Sequence, residues 1–307
     1  QHYVTEIIVP FILNRSDLRE STQTKFLSTV SDVNSNAMSI SYQNSNLLIA
    51  EKNWLYFKLY GSVKHREALL TEIYDTLKPF LRNGTVSSCF FIRYADPEPH
   101  VRIRIQVSSY SSVAEVLMQM MHFFESVRDR GLLTTVVLDT YQREVSRYGG
   151  IRLIDSAENY FFYDSLLVMQ ILHQQVKNNA AIKFEYIGIS YLMMVFREFG
   201  LNGEQLEEFL NTQCGQNDFR EQYQKDRKQY MKATESQEFQ RIFNEIGSDV
   251  GIILNSLLKA LSDYINKISE IDKRGGLTNS KINIAKSIVH MFCNRLVGTK
   301  NLCFVKT

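Results

Sequence analysis

The sequence predicts an α+β protein in which a sheet-forming region, residues 1–150, precedes a mostly helical region, residues 151–307. Three observations support this prediction. Short apolar runs with a two-residue period occur before Gly150, and two longer runs with a helical period separate them. After Gly150 the strong apolar patterns have the helical period. No proline occurs after Pro99 to break such helices. We expect the two regions to form one integrated domain.

The elements of the first region are predicted in a defined order. Residues 3–13 and the aromatic residues 54–60 have strand composition, whereas the Asn- and Ser-rich residues 33–47 are typical of a polar connection. From residue 54 the patterns predict strand, helix, strand, strand, helix, strand, which is the order of a split-βαβ, ferredoxin-like sheet. After 54–60, this series comprises a helix at 63–82, strands near 86–94 and 100–107, a helix at 111–130 and a strand near 134–140.

The second region is predicted to consist of helices, because its apolar residues recur every three to four positions. One glycine pair, Gly275-Gly276, interrupts the series near its end. The predicted helices are 156–177, 183–199, 203–212, 217–232, 236–246, 248–270 and 279–297.

Composition limits the classes of function. The 307 residues are 44% hydrophobic and 22% charged with a net charge of +2, as in a globular protein without a concentrated basic surface for nucleic acid. The four cysteines lack CxxC spacing, so we expect reduced thiols, no metal and no other cofactor. No apolar run is long enough for a membrane span and no signal peptide is present, which predicts a cytoplasmic protein. Because the chain begins with Gln1, we expect a fragment of a longer polypeptide or a shortened start.

A row of polar side chains on the predicted strand 100–107 is the best candidate for chemistry. Polar and apolar residues alternate there, so one face of the strand is apolar and the other presents hydrogen-bond donors. Residues 90–99 precede it as a strand and a Pro-stiffened turn, which predicts a hairpin that presents guanidiniums to a carboxylate or phosphate. The alternative is a solvated face of an edge strand. The polar residues are His100, Arg102, Arg104 and Gln106.

A second candidate is the segment YQREVSRYGG, residues 141–150. Glu144 lies three positions before Arg147, so the two side chains can pair on a helical turn. The Gly149-Gly150 pair permits positive φ or a close approach of the backbone to a ligand. The alternative is a surface ion pair followed by a helix C-cap.

A third candidate is His290 in the helical pattern 279–297. His290 lies off the apolar stripe, together with Asn294 four positions later. Since histidine titrates near neutral pH, His290 is a candidate general acid or base. The alternative is a surface histidine. The apolar stripe is predicted to comprise Ile282, Ala285, Val289, Phe292 and Leu296.

Taken together and in this order, five blocks resemble the C-terminal domain of class I lantibiotic dehydratases, which is related to the thiopeptide-type bacteriocin biosynthesis proteins. The resemblance extends from about residue 3 to residue 298. The blocks are EIIVPF, WLYFKLYG, FFIRYADPEPHVRIRI, YQREVSRYGG and HMFCNRLVG.

The resemblance implies a lyase. In this family a large N-terminal domain transfers glutamate from glutamyl-tRNA to Ser and Thr of a precursor peptide. The C-terminal domain then eliminates glutamate to give dehydroalanine or dehydrobutyrine. This chain resembles the elimination domain alone, so the implied substrate is a glutamylated precursor peptide and direct tRNA binding is not expected. Further implied partners are a glutamylation domain or enzyme, a lanthionine cyclase and a second copy in a homodimer, with membrane association through a biosynthetic complex.

The resemblance also assigns roles to residues. Arg104 and Arg147 would bind the leaving glutamate, Arg102 would support the site, Glu144 would orient an arginine, and His290 would transfer the proton. These roles suit β-elimination, which needs a base and stabilisation of the departing carboxylate. The implied substrate-binding residues are Arg93, His100, Arg143, Asn294 and Arg295.

Two other functions remain open from the sequence. The first is a cyclase similar to the thiopeptide pyridine synthases, which perform a cycloaddition on dehydroalanines. The second is a non-catalytic scaffold that binds peptides within a biosynthetic complex. The Arg, Glu and His positions favour elimination, and their convergence in one pocket would distinguish it from the alternatives.

Overall fold

The computed structural model describes residues 47–48, 53–213 and 220–298. The α+β prediction is confirmed, since an antiparallel sheet occupies the first part and helices follow. The predicted strand 3–13 and nearly all of the connection 33–47 lie outside the described residues. The elements before residue 143 are β1 (Leu47–Leu48), β2 (Trp54–Tyr60), α1 (Arg66–Arg82), β3 (Val86–Tyr94), β4 (His100–Val107), α2 (Val113–Asp129), β5 (Thr135–Asp139) and β6 (Tyr141–Gln142).

The main sheet has the strand order β3-β4-β2-β5, and each neighbouring pair is antiparallel. Lys58 on β2 pairs with Arg102 on β4, and Tyr56 pairs with Arg104. Paired residues of antiparallel strands project from the same face, so these four side chains share one side of the sheet. The opposite side is apolar and buried, and Phe57 there contacts α2. A separate two-stranded pairing joins β1 to β6.

The helical region begins after a 3-10 turn at Ser146–Tyr148. The predicted helices are present, with bounds that differ from the prediction by a few residues, and residues 217–219 of one of them lie outside the described residues. No helix within the described ranges is long and apolar enough to span a bilayer. The helices are α3 (Ile154–Asn178), α4 (Phe184–Glu198), α5 (Gly203–Gln213), α6 (Arg220–Ala233), α7 (Ser236–Ile246), α8 (Ser248–Asp272) and α9 (Lys281–Val297).

Side chains from α3 and α9 cover the outer edge of β3. Ser165 Oγ accepts a hydrogen bond from the Phe91 N–H (3.2 Å), and Arg295 Nε donates to the Phe91 carbonyl (2.8 Å). Asn294 accepts from the Arg93 N–H and donates to the Arg93 carbonyl, both at 2.8 Å. A strand edge otherwise leaves such groups unpaired. These contacts fix α9, and therefore His290, beside the sheet.

A buried ion pair reinforces this arrangement. Arg295 pairs with Asp164 of α3, and both side chains are almost completely excluded from solvent. Tyr191 of α4 donates a hydrogen bond to the same carboxylate at 2.6 Å. Arg93 approaches from β3 and donates to the Arg295 carbonyl at 2.8 Å. Burial of charged groups is tolerated when each is paired and hydrogen-bonded, as here.

Candidate functional site

A cleft of about 580 Å³ opens over the polar side of the sheet, beside the residues that follow β5. Side chains from β2, β4 and residues 139–147 line it. The charged lining residues are predominantly cationic, so the cleft suits a ligand with anionic groups. They are Lys58, Arg102, Arg104, Arg143 and Arg147, with Asp139 and Glu144 as the acidic members.

Arg104 is held between aromatic rings. Its guanidinium carbon lies 4.6 Å from the ring centroid of Tyr56, 4.8 Å from that of Tyr141 and 5.3 Å from that of Phe90. The Arg104 side chain is buried, and in the part of the chain that the structure describes its Nε has no hydrogen-bond partner. The ring faces stabilise the cation but do not neutralise it. A guanidinium in this state favours an anion supplied by a ligand.

Trp54 extends this aromatic group away from the cleft. Its ring packs edge-to-face against Phe90 and Tyr141, with centroids 5.4 Å apart in both cases. The Trp54 indole therefore packs against two of the three rings around Arg104 and helps to hold them in position.

His100 orients Arg102. Arg102 Nε donates to His100 Nε2 at 3.0 Å, and its guanidinium carbon lies 3.5 Å from the Tyr94 ring centroid. Since arginine can only donate, His100 Nε2 is the acceptor and its Nδ1 carries the proton. That Nδ1–H donates to the Glu98 carbonyl at 2.7 Å. Burial lowers the pKa of His100 against the opposing effect of the Glu98 hydrogen bond, and the charge of Arg102 lowers it further. The imidazole is therefore a neutral support for Arg102.

Lys58 faces Arg102 directly across the strand pair. Like charges in this position repel, and an ion pair between Lys58 and Asp139 of β5 compensates the lysine. The hydrogen bond from Lys58 is the main reason that the pKa of Asp139 is lowered, and Arg102 adds to the effect. Asp139 is thus engaged by Lys58, which leaves the charges of Arg102 and Arg104 available in the cleft.

The predicted pair of Glu144 and Arg147 is present. Arg147 Nη1 donates to Glu144 Oε2 at 3.0 Å, while its Nε donates to Ser287 Oγ of α9 at 3.2 Å. A glycine turn holds this segment, because Gly149 has φ +97° and a Cβ there would lie 2.6 Å from a methyl carbon of Leu153. Arg147 therefore connects the cleft to α9.

His290 lies one helical turn after Ser287, and its side chain is partly exposed. Partial burial lowers its pKa, the charge of Arg147 lowers it further, and Glu144 opposes these effects. The neutral form, which can accept a proton, is favoured at pH 7. His290 does not line the large cleft itself. A smaller cavity of about 30 Å³ shares Arg104 and Glu144 with the cleft and is lined by Met291, the next residue on α9.

The structure divides the predicted site residues into two groups. Arg102, Arg104, Glu144 and Arg147 converge on the cleft, with His100 behind Arg102 and His290 beyond Arg147. The second group, at the covered edge of β3, donates to protein groups, and its substrate-binding role stays a prediction. It comprises Arg93, Asn294 and Arg295.

Arg143 belongs to both groups. It lines the cleft, yet its Nε and Nη2 donate to the two carboxylate oxygens of Glu158, each at 2.7 Å, and Nη2 also pairs with Asp155. Its buried Nη1 has no hydrogen-bond partner among the described residues. Arg143 can therefore offer one donor to a ligand while its charge is compensated by Glu158.

Sequence reasoning missed Lys58, Asp139 and the rings of Tyr56 and Tyr141. The two-residue period of Trp54–Tyr60 places Tyr56 and Lys58 on one face, but only the pairing of β2 with β4 shows that this face also bears the arginines. Within the described ranges, no group of three or more His, Cys, Asp or Glu side chains is arranged to hold a metal ion.

Comparisons with known proteins find a matching family model and similar sequences. The family model described as the C-terminus of lantibiotic biosynthesis dehydratases matches residues 54–303. The chain is 31% identical over 258 residues to the subtilin biosynthesis protein SpaB of Bacillus subtilis, covering 81% of the chain and 24% of SpaB. It is 27% identical over 253 residues to the nisin biosynthesis protein NisB of Lactococcus lactis subsp. lactis, covering 80% and 24%. The chain thus spans about a quarter of the length of these relatives.

Two solved structures have a similar fold. The tRNA-dependent lantibiotic dehydratase MibB from Microbispora sp. 107891 gives a TM-score of 0.70 at 21% identity, covering 84% of this chain and 28% of MibB. The pyridine synthase TbtD from thiomuracin biosynthesis gives a TM-score of 0.54 at 12% identity, covering 83% of this chain and 95% of TbtD. At these identities the similarity concerns the fold alone.

Proposed function

The chain belongs to the family of lantibiotic biosynthesis dehydratase C-terminal domains, and we propose that it acts in the dehydration of precursor peptides as a glutamate-eliminating lyase. Its substrate would be a glutamylated Ser or Thr in such a peptide, and its products would be dehydroalanine or dehydrobutyrine and free glutamate. The observation that supports this proposal is the buried Arg104 guanidinium, which has no anionic partner among the described residues and lies in one cleft with Arg102 and Arg147.

The reaction accounts for the charge of the cleft. A base removes the Cα proton, the Cα–Cβ double bond forms, and the Cβ–O bond breaks as glutamate leaves. The departing glutamate has one newly formed carboxylate and one that was already free. Arg104 and Arg147 bind these carboxylates, since guanidinium groups match carboxylates in geometry and charge. Charge that develops on the leaving group is thereby stabilised in a partly desolvated site.

His290 and Glu144 have supporting chemical roles in this proposal. The neutral imidazole of His290 transfers the proton, and burial, with a further contribution from the charge of Arg147, lowers its pKa and favours that state at pH 7. Glu144 holds one side of the Arg147 guanidinium through the 3.0 Å contact.

The remaining predicted residues position these groups. His100 orients Arg102, and Arg143 offers a donor at the cleft wall. Arg93, Asn294 and Arg295 fix α9 against β3, which sets the position of His290. The same contacts support the proposal that the sheet region before Gly150 and the helices after it form one integrated domain.

The strand order also supports the finer fold assignment. Starting at β2, the chain runs β-α-β-β-α-β, and the sheet order β3-β4-β2-β5 is consistent with a split-βαβ, ferredoxin-like arrangement. In this arrangement the polar face of the sheet is available for the cleft.

The convergence of guanidiniums also bears on the two alternatives. A pyridine synthase-like cyclase acting on dehydroalanines would have no glutamate leaving group to neutralise. A non-catalytic scaffold would have no need for Arg104 to be kept without an anion. We further propose that the chain acts in the cytoplasm on a peptide supplied by a glutamylation activity, with a lanthionine cyclase using the product. Association with the membrane through a biosynthetic complex and a homodimer stay predictions.

The test is mass spectrometry of a glutamylated precursor peptide incubated with the full chain. We expect each processed position to lose one glutamic acid, which leaves a peptide one water lighter than the unmodified precursor. Substitution His290→Ala should leave the glutamylated peptide intact. The exposed histidine of α2 provides the matched control, so His122→Ala should process the peptide normally. Persistence of the glutamylated mass with the unsubstituted chain would contradict the proposal.

A further inference from the structure

Among the described residues, β5 has an unpaired and apolar edge. Within the described ranges it is the last strand of the sheet and pairs with β2 on one side. In the part of the chain that the structure describes, no main-chain hydrogen bond reaches the other side of Thr135–Asp139. Leu138 is 55% exposed and Val137 is 38% exposed. Exposed edges normally bear prolines, charges or a covering element, as the edge of β3 does.

This edge leads into the cleft. Asp139 ends β5, and Asp139 and Thr140 are both lining residues of the cleft. Val137 lies opposite Lys58 and therefore shares the face of the cleft, whereas Leu138 projects to the other face. An extended chain paired with β5 would run along the edge and reach the cleft at the end of the strand.

We propose that the edge of β5 is an additional peptide-binding site at which the substrate joins the sheet as a further strand. The peptide residues beside the modified Ser or Thr pair with Thr135–Asp139, and the modified side chain enters the cleft toward Arg104. This inference rests on the proposed function and adds how the peptide is held. Main-chain pairing recognises an extended conformation rather than a sequence, while Val137 and Leu138 contact alternate side chains of the peptide.

A peptide is a better occupant of this edge than a second copy of the chain. Stable dimers bury on the order of 1,600 Å², which a strand of five residues cannot supply by itself. Addition of a peptide strand requires only a short segment, because main-chain hydrogen bonds contribute much of the affinity. The continuity of the edge with the cleft also gives the peptide two contacts at once.

Hydrogen exchange tests the proposal directly. The probe is an acetylated decapeptide of Ala, Val and Thr in which a central diaminopropionate bears glutamate through an amide, so that elimination is blocked. In the full chain, the probe should slow exchange at alternate amides of residues 135–139, because only alternate groups of a strand face outward. Protection confined to the cleft, with residues 135–139 unchanged, would overturn the proposal.

A matched pair of variants provides a second test. Leu138→Lys removes an apolar contact on the face away from the cleft and should weaken probe binding about threefold. Met118→Lys, on α2, replaces a side chain with the same 55% exposure and should leave binding unchanged. N-methylation of the probe at successive positions should reduce affinity at every second position. Equal affinities across both variants and all methylated probes would overturn the proposal.

A minimal substrate separates this inference from the proposed function. N-acetyl-O-glutamylserine methylamide is too short to reach β5 and needs only the cleft, so the Leu138→Lys variant should process it at the normal rate. The same variant should process a long glutamylated peptide more slowly when that peptide is at limiting concentration. If the unsubstituted chain eliminates glutamate from both substrates without protecting β5, the edge site is refuted and the lyase stands. If β5 is protected and no elimination occurs, the lyase is refuted and the edge site stands. Protection that rises with protein concentration in the absence of probe would assign the edge to a second copy and overturn the proposal.

Discussion

The covered edge of β3 and the cleft use the same residue type in opposite ways. Arg93 and Arg295 at the edge donate to main-chain carbonyls, and Arg295 also pairs with the buried Asp164. In the cleft, Arg104 lies among aromatic rings without an anion among the described residues, and Arg102 donates to a neutral histidine. The difference shows that an arginine is informative about function when its partners are missing. Arginines with a full set of protein partners hold the fold together.

The largest loss of stability should follow from removing an arginine at the covered edge of β3. Arg295→Leu leaves Asp164 buried without its cation and the Phe91 carbonyl without its donor, so we expect the free energy of unfolding to fall by about 3–5 kcal/mol. Urea denaturation measures this loss. The exposed Arg152 supplies the control, since Arg152→Leu should change stability by less than about 0.5 kcal/mol. If Arg295→Leu changed stability only slightly, Arg295 would not stabilise the fold and would resemble the cleft arginines instead.

The second prediction concerns the other side of the comparison. Arg104→Met removes a buried cation that has no anion among the described residues and keeps an apolar side chain among the rings, so stability should be unchanged or higher. The single-turnover rate of glutamate elimination should fall about 100- to 1,000-fold, as expected when one stabilising donor is lost. Urea denaturation and mass spectrometry on the same preparation measure both quantities. A destabilised variant with a normal rate would reverse our assignment of Arg104.

A smaller loss of stability is expected when Asn294 is replaced. Asn294→Ala leaves the N–H and carbonyl of Arg93 at the strand edge without partners, which should cost about 1–3 kcal/mol of stability. The exposed Asn283 lies on the same helix, and Asn283→Ala is the matched control for loss of helix contacts. Equal unfolding midpoints for the two variants would show that the edge contacts of Asn294 contribute nothing.

The smallest effect is a shift in pH dependence. The neutral form of His290 is the active one, so the rate should fall as pH decreases through its pKa, which lies below the ordinary value of 6.5. The Glu144 carboxylate favours the imidazolium and therefore raises that pKa. Glu144→Gln removes this influence, so the acid limb of the rate profile should move to lower pH. Single-turnover rates measured from acid to neutral pH show in which direction the acid limb moves. A shift of that limb to higher pH would contradict the prediction.

Much of the secondary structure could be predicted, because local periodicity determines it. The strands predicted near 86–94 and 100–107 coincide with β3 and β4, and the predicted helices are present after residue 150. The apolar stripe predicted for α9 was partly wrong, since Ile282 is only half-buried, whereas Ile284 and Ile288, which it left out, are fully buried. Asn294, predicted to lie off the stripe, is buried as well. A helical wheel assumes one contact face, whereas α9 meets both β3 and α4, where Tyr191 stacks on Phe292 with centroids 3.5 Å apart.

The site was predictable only where its residues are neighbours in sequence. The pair of Glu144 and Arg147 followed from its spacing, and the arginine row followed from strand alternation. The partners of Arg295 did not, because Asp164 lies 131 residues away and no local pattern joins the two. The same limit applies to Arg104, whose rings come from β2, β3 and β6 and meet only in the folded protein.

The aromatic group around Arg104 gives the molecule an intrinsic optical probe. The chain contains a single tryptophan, and Trp54 packs against two of the three rings that surround this guanidinium. A carboxylate that draws Arg104 toward the cleft would alter the field and the packing at these rings. Indole emission would then report occupancy of the cleft without any label, with no background from a second tryptophan.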